Sequence, residues 1–432
     1  MLLPLSSALI AQNASQPPVS DSSLPSAPVP MAKPANEGPV QPLTLADALA
    51  LAEKNSPRLH AAVARVDRAA AATVTAKAYT NPDVQVYAGH QSALDVAIPG
   101  PPGLLQHYAV SQKIEIPSER RNRLKVAQMA RTSSGFARDS VRRLLEADVK
   151  RGFYDVLLRK GKIEYAKENL ALVEDLRRRV EVEVRTGEKG RLELTRAEAE
   201  MARARFAVRS AQIEFANSIA VLRSIIAAPA DLNFDPQGTL EPAVHLPPLH
   251  ELRDRVLQNY PALQQSRTDV QHAEAVLEHQ RSLRLPQPSL YGEYEHQPDL
   301  SFWRTGVSIS IPLWDQRKGQ IAESRAAIRE ATATRNEQRL QVISALEQAY
   351  EQYQLADQQV ASLQAGPLHE AESAVAAAQA AYHFGERGIV EVLDAQRVLQ
   401  SVRDDLLTAQ FARQTALVDL ETLGAVQPGG RP

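Results

Sequence analysis

The longest hydrophobic pattern in the chain has the spacing of a helix. No proline interrupts the segment from Ser118 to Arg185, which as one helix would be about 100 Å long. Apolar residues recur in it every seven positions, at Val149, Val156, Ile163 and Leu170. Two later series have the same period, Leu346, Tyr353 and Val360 followed by Val392, Leu399 and Leu406. This spacing is typical of helices packed as coiled coils.

Shorter segments alternate between apolar and polar residues, which predicts strands with one face of each kind. They lie at 84–88, 108–116 and 303–311. The longer ones have about 10 residues, the length of a tilted strand that crosses a bilayer. The alternation by itself fits a half-buried hairpin of a soluble domain equally well.

The chain contains one structural unit written twice. Three motifs return in the same order: Asn55-Ser56-Pro57 as Asn259-Tyr260-Pro261, Ile114 to Pro117 as Ile309 to Pro312, and the Gly187/Gly190 pair as Gly385/Gly388. Each copy is predicted to run helix, strand, strand, very long helix, glycine turn and long helix. The predicted repeats are residues 43–242 and 243–425, with the glycine turns folding each long helix back as a hairpin.

The two ends of the chain have a different composition. Residues 1–14 are apolar and small and resemble the hydrophobic part of a secretory signal, although a basic segment before it is missing; a disordered apolar start is the alternative. Residues 15–42 are rich in proline, serine and alanine and are predicted to be a disordered linker. A disordered tail is predicted for residues 426–432.

Composition excludes several functional classes. The formal net charge of −2 argues against a nucleic-acid partner, which would require a basic surface. There is no cysteine, which excludes disulfides, cysteine-ligated metals and cysteine nucleophiles. The 10 histidines are dispersed without metal-site spacing, and no catalytic motif is present. We therefore expect no enzyme activity, no metal site and no cofactor.

The predicted strands are too few to form a membrane-spanning structure within one chain. One chain supplies four strands, whereas closed membrane barrels begin at about eight, and an open sheet edge cannot lie in lipid. Two chains would give eight strands and a lumen filled by side chains, while three would give 12 strands and an open lumen. The polar strand face suits a wet lumen, which favours a homotrimer.

With these features in place, the sequence resembles the TolC-type outer-membrane factors over residues 43–425. The most specific segment runs from Tyr382 to Gln396 (YHFGERGIVEVLDAQ), with Gly187 to Ala197 as its counterpart in the first repeat. Ser111 to Pro117 and Gly306 to Gly319 are similar to the heavy-metal-efflux, CzcC-like branch, although Ser118 stands where that branch has glycine.

The resemblance implies a mainly α-helical protein with a small β part. Long antiparallel helical hairpins would form a periplasmic helical barrel, and four strands per chain would contribute to a 12-stranded trimeric outer-membrane β-barrel. It further implies a passive exit duct in the cell outer membrane, surrounded by outer-membrane lipid. The implied partners are a periplasmic adaptor protein and an inner-membrane efflux transporter.

The same resemblance assigns a gate at the helical tips. Tyr382 and Arg387 match the residues that hold the family's second tip, and Glu193 stands at the acidic position of the first tip. Arg–carboxylate bonds are strong but breakable, which suits a latch. Glu391 and Asp394, three apart on one helix face, match acidic rings that line the pore. On spacing alone, these residues would be solvated charges at helix ends.

The glycines of the two turns are expected to be helix caps. The resemblance gives the tips a second role, adaptor contact, by exposing apolar side chains next to the turns. The predicted contact residues are Gly187, Gly190, Leu192, Leu194, Gly385, Gly388, Val390 and Val392. The rival interpretation of the whole chain is a soluble scaffold of antiparallel coiled coils with small β-hairpins.

Overall fold

The computed structural model describes residues 40–92, 102–240 and 243–427, so the predicted signal segment lies outside the described residues. The first half of the chain forms two short segments of sheet, two helices, a hairpin and two long helices. Its elements are β1 (Gln41–Leu43), α1 (Leu45–Asn55), α2 (Pro57–Lys77), β2 (Asp83–Gln91), β3 (Gly103–Lys113), α3 (Pro117–Thr186), α4 (Arg191–Ile225) and β4 (Phe234–Pro236).

The second half repeats this order, as the duplicated motifs predict. Its elements are α5 (Leu249–Asn259), α6 (Pro261–Ser282), β5 (Gln287–His296), β6 (Ser301–Ser310), α7 (Lys318–Ala365), α8 (Pro367–His383) and α9 (Ile389–Leu423). The repeated Asn-x-Pro motif marks the same boundary in both halves, because its proline is the first residue of α2 and of α6. Proline suits this position, where the backbone N–H would have no helical partner.

The four longer strands form one antiparallel sheet in the order β2-β3-β5-β6. Tyr87 lies opposite His107, and His107 lies opposite Glu295. Because side chains alternate along a strand, these three residues share the polar face, and Val86 and Trp303 share the apolar one. β2 and β6 are the two edges of this sheet, each with one neighbour only.

Strand β3 ends at Lys113, three residues before the predicted end at Ile116. Just beyond its end, Glu115 pairs with Arg123 of α3 through two hydrogen bonds of 2.7 and 3.0 Å. The Arg123 guanidinium also donates to the carbonyl oxygens of Ala76 and Ala78 at the end of α2. This junction therefore joins the sheet to two helices.

The folded part of the chain extends slightly beyond its predicted boundaries. β1 includes Gln41 and Pro42, which pair with Phe234 and Asp235 of β4 in parallel register, so the predicted linker ends before residue 41. Val426, assigned to the C-terminal tail, is 3% exposed and packs in the core between α5, α7 and α9. Burying its apolar side chain stabilises this end of the chain against fraying.

The predicted heptad positions are confirmed as the packed faces of the long helices. Val149, Val156, Leu346 and Tyr353 are all buried. The first two belong to a core shared by α1, α3 and α4, and the other two to the core of the second half. The order in which the helices pack, α2-α3-α6-α7, follows the order of the strands that they adjoin.

The very long helix is continuous in only one of the two halves. α3 runs unbroken for 70 residues, as predicted. Its counterpart stops at Ala365 and restarts at Pro367, because Gly366 has φ −149° and ψ −61°. Proline lacks the N–H that a helix interior needs, and its ring clashes with the preceding turn. No helix in the described part of the chain is long and apolar enough to cross a membrane.

Candidate functional site

The helical tips are built from two equivalent turns. α3 ends at Gly187 with φ 84°, and the turn after α8 contains Gly385 with φ 74°. Both lie in the left-handed region, where a Cβ atom would be strained. Backbone bonds close the turns in the same way, from Glu188 N to Glu183 O and from Glu386 N to Ala381 O, each 2.9 Å. The predicted turns are therefore present, and both are glycine-capped.

The two tips of one chain pack together as one apolar cluster. Its buried members come from α3, α4, α8 and α9: Leu176, Val180, Ala197, Tyr382, Ile389, Val392 and Leu393. Because all four helices contribute, one hairpin cannot move away from the other without exposing apolar surface. Separation of the tips therefore has a free-energy cost set by this cluster.

Tyr382 supplies the polar contact between the hairpins. Its hydroxyl donates to Glu183 Oε2 of α3 at 2.5 Å, and the Lys189 ammonium lies 5.6 Å from the centre of its ring. Burial, and then the neighbouring Glu183 carboxylate, raise the pKa of Tyr382 well above its usual value. The hydroxyl therefore remains a donor at all ordinary pH values.

Glu193, the acidic residue predicted for the first tip, lies near Tyr382, but the tyrosine hydroxyl bonds a different glutamate. Glu193 lies close enough to Tyr382 to raise the tyrosine pKa further. Its Oε2 atom is buried and has no hydrogen-bond partner in the described residues. The hydroxyl of Tyr382 bonds Glu183, a residue that the sequence pattern did not indicate. Nothing in the sequence distinguishes Glu183 from Glu181 or Glu188 beside the same turn.

The predicted arginine latch is not formed within one chain. Arg387 is exposed and has no ion-pair partner in the part of the chain that the structure describes. It lies on the turn between α8 and α9.

The two predicted pore-lining acids are both exposed at the start of α9. Asp394 pairs with Arg397 at 2.9 Å, and Arg397 also pairs with Glu200 of α4 at 2.9 Å. Glu391 forms no ion pair in the described residues, so its charge is uncompensated within the chain. Of the two acids, Glu391 presents the stronger local negative charge.

The predicted adaptor-contact residues divide into exposed and buried groups. Leu192 and Val390 are exposed beside the turns, whereas Leu194 is partly buried against the tip cluster. Val392 is 1% exposed, so its assignment as a surface contact is wrong; it points into the four-helix cluster. Phe384, exposed and next to Gly385, is an apolar tip residue that the sequence analysis did not select.

The described residues contain no group of three or more His, Cys, Asp or Glu side chains arranged to hold a metal ion. Apolar residues on one face of the sheet, including Val84, Val86, Trp303 and Val307, are exposed. The other face carries polar groups such as the Glu293–Arg304 ion pair. A sheet with this division suits a boundary between lipid and water.

The family model described as "Outer membrane efflux protein" matches residues 48–228 and 252–425. The chain is 26% identical over 380 residues to the cobalt-zinc-cadmium resistance protein CzcC of Cupriavidus metallidurans, covering 84% of this chain and 85% of CzcC.

Solved structures share the fold at lower sequence identity. The channel CusC matches with a TM-score of 0.76 and 19% identity, over 94% of this chain and 98% of CusC. The Campylobacter jejuni outer membrane channel CmeC matches with a TM-score of 0.76 and 15% identity, over 88% and 85% of the two chains.

Proposed function

This chain belongs to the outer membrane efflux protein family, and from that premise we propose that three copies form the exit duct of an efflux pump. The protein is an outer-membrane channel rather than an enzyme. The single observation that supports the three-copy arrangement is the open four-stranded sheet with its apolar face exposed. Three such sheets would close into a 12-stranded barrel with the polar face lining a lumen.

We further propose that the helical part extends into the periplasm and that its tips contact an adaptor protein. The exposed apolar side chains of Leu192, Phe384 and Val390 support this role, because an apolar rim next to two tight turns suits a docking helix pair. The adaptor would connect the duct to an inner-membrane transporter. Divalent metal cations are the cargo class that the similarity to CzcC favours.

The gate at the tips is part of the same proposal. The Tyr382–Glu183 bond would hold the hairpins of one chain together. Across copies, Arg387 would pair with a carboxylate of the neighbour, and Glu193 is the candidate by its place in the first turn of α4. Glu391 and Asp394 from three copies would form acidic rings near the axis and favour cations.

Planar-bilayer recording tests the duct and its gate. We expect the purified protein to form channels of low conductance, and the combined change Glu193→Ala and Arg387→Ala to raise that conductance. The matched control is Asp175→Ala with Arg178→Ala, an exposed ion pair on α3, which should leave conductance unchanged.

Two outcomes would contradict different parts of the proposal. Absence of any channel, together with recovery of the protein in the soluble cell fraction, would favour the coiled-coil scaffold. Channels whose conductance is the same in wild type and in the gate variant would remove Glu193 and Arg387 from the gate while leaving the duct intact.

A further inference from the structure

The end of α3 that adjoins the sheet is strongly basic. Residues 117–131 contain one acidic residue and five basic ones, namely Glu119 and then Arg120, Arg121, Arg123, Lys125 and Arg131. Glu119 and Arg123 are engaged in ion pairs at the junction with the sheet. Arg121 and Lys125, called the basic pair below, are exposed and form no ion pair with any residue that the structure describes. Two uncompensated cations therefore lie one helical turn apart beside the sheet.

Several cations farther along α3 are compensated within the helix. Arg142 pairs with Glu146 at 3.2 Å, and Arg179 pairs with Asp175 at 2.7 Å. Such pairs, four residues apart, are typical of a helix face in water. No Asp or Glu stands three or four residues from either member of the basic pair. The helix therefore leaves these two charges to be neutralised by a group from outside the chain.

The basic pair lies on the side of α3 that corresponds to the apolar face of the sheet. Glu119 accepts hydrogen bonds from Lys113 at 3.2 Å and from Gln287 at 3.4 Å, and both donors belong to the polar face by strand alternation. Arg123, four residues after Glu119, lies on the same side of the helix. The members of the basic pair stand two residues before and two residues after Arg123. Because each residue turns the helix by about 100°, both are rotated about 160° away from it.

Exposed apolar side chains lead from the sheet to the basic pair. Ile114, which follows the last residue of β3, is 47% exposed, and Tyr79, between α2 and β2, is 69% exposed. The Arg120 guanidinium lies 4.4 Å from the centre of the Tyr79 ring and donates to the Lys77 carbonyl oxygen at 2.8 and 3.2 Å. An exposed tyrosine at an apolar boundary is typical of the headgroup level of a membrane.

The charged groups of the basic pair are within reach of that level. α3 begins at Pro117, so Arg121 and Lys125 lie about 6 and 12 Å from its start along the helix axis. Helical side chains tilt toward the N-terminus, which here is the direction of the sheet, and long cationic side chains extend along apolar surface to place their charge in a polar layer. The headgroup layer is about 5–8 Å thick on each side of a bilayer. Both cations therefore reach the same layer of phosphates.

We propose that the basic pair binds the phosphate of an anionic phospholipid in the membrane leaflet on the helical side of the sheet. The phosphate supplies the negative charge that the helix lacks beside these cations, and the acyl chains lie along the exposed apolar face of the sheet. This inference rests on the proposed contact of the sheet with lipid and on the proposed periplasmic direction of the helices, which makes this the periplasmic leaflet. It depends neither on the number of copies nor on the gate.

Native mass spectrometry of the purified, detergent-solubilised protein measures this binding. The protein is titrated separately with phosphatidylglycerol, phosphatidylcholine and inorganic phosphate. We expect the first phosphatidylglycerol to bind about 10-fold more tightly than phosphatidylcholine, because the choline group of the latter cancels the attraction of its phosphate to the two cations. Inorganic phosphate should not bind in the same concentration range, since it has no acyl chains to contact the apolar face.

Three double variants identify the residues responsible. Arg121→Gln with Lys125→Gln should weaken phosphatidylglycerol binding about 30-fold, which is about fivefold for each cation removed. Arg121→Lys with Lys125→Arg keeps both charges and should retain the binding. The matched control, Arg196→Gln with Arg209→Gln, removes two exposed cations of α4 that also lack an ion pair among the described residues, and it should bind as wild type does. All four positions are exposed, so the midpoint of thermal unfolding should change little.

The possible failures are distinguishable. Equal affinity of wild type and the glutamine variant for phosphatidylglycerol, or equal affinity of wild type for both lipids, would overturn the phospholipid site and leave the duct intact. Inorganic phosphate that binds wild type as tightly as phosphatidylglycerol does would assign the basic pair to a free anion instead. A protein that remains in solution without detergent and binds neither lipid would overturn the proposed membrane contact of the sheet itself.

Discussion

The two halves of the chain have the same element order but differ in how firmly each is fixed. In the first half, α3 is continuous, and the Glu115–Arg123 pair joins it to the sheet and to α2. In the second half, the long helix breaks at Gly366, and the junction loop at Trp314 is bare. The two copies therefore share one topology, but the continuous long helix and the ion pair that ties it to the sheet are present only in the first copy.

The largest expected effect comes from removing the junction of the first half. The Glu115 side chain is 2% exposed. Arg123→Ala leaves its carboxylate with only the Thr80 hydroxyl as a side-chain hydrogen-bond donor among the described residues. Breaking a buried pair in this way costs about 3–5 kcal/mol. We expect a large drop in the midpoint of thermal unfolding of the purified protein.

The second half supplies the control for that change. Lys318 has the same spacing from Pro312 as Arg123 has from Pro117, but it is the first residue of α7 and is exposed. Lys318→Ala should therefore change stability by less than about 0.5 kcal/mol. If both variants unfold at the same temperature, the Glu115–Arg123 pair contributes no more to stability than the exposed Lys318 does.

The same junction predicts a pH dependence. The Arg123 guanidinium holds the pKa of Glu115 below its usual value. A carboxyl whose pKa is lowered by folding stabilises the protein above its unfolded pKa, and this contribution disappears as pH falls through the folded value. Wild type should therefore lose stability on acidification below about pH 4, and the loss should be smaller in Arg123→Ala.

The next effect concerns helix continuity. Asn169 lies inside α3 near the position that corresponds to Pro367 in the second half. Asn169→Pro should destabilise the protein by about 3 kcal/mol, because it removes a helical hydrogen bond and introduces a clash. Pro367→Ala should be neutral or stabilising by about 1 kcal/mol. Equal losses from both substitutions, measured by thermal unfolding, would show that the break at Gly366 is part of the stable architecture.

The smallest expected effect concerns the hydrogen bond between the two tips. Tyr382→Phe keeps the ring in the cluster but removes the hydrogen bond to Glu183, which is worth about 1.5–3 kcal/mol for an ionised acceptor. We expect backbone amides near His383 and Ile389 to exchange hydrogen at least 10-fold faster, with little change in the midpoint of global unfolding. Unchanged exchange would mean that the apolar cluster alone holds the tips.

The sequence sufficed to predict features that are periodic or repeated. The heptads fixed the buried faces of the long helices, and the recurring Asn-x-Pro and Gly-x-x-Gly motifs fixed helix boundaries and turns, because each depends on local backbone geometry. The partner of Tyr382 was not predictable, since several glutamates lie beside the first turn and the choice depends on how the hairpins are rotated against each other. Val392 was misassigned for the same reason, because its burial requires four helices.

The bare junction and the break in the second half became visible only through the comparison of the two copies. The residues after Ile-x-Ile-Pro enter α3 at once in the first half, with Glu119 buried, whereas in the second half they form a loop before α7 with Trp314 exposed. Likewise, Pro367 breaks the helix at a point where α3 has no proline. In both cases the physical information lies in the difference between equivalent positions rather than in either position alone.

The interruption at Gly366 allows α8 to rotate as a rigid segment about that residue. α8 has 17 residues, so its far end lies about 25 Å from the pivot. A rotation of about 10° there would sweep the end that carries Tyr382 through about 4 Å, enough to pull its hydroxyl from Glu183. A small angular change far from the tip would thus be magnified into an aperture at the end of the hairpin.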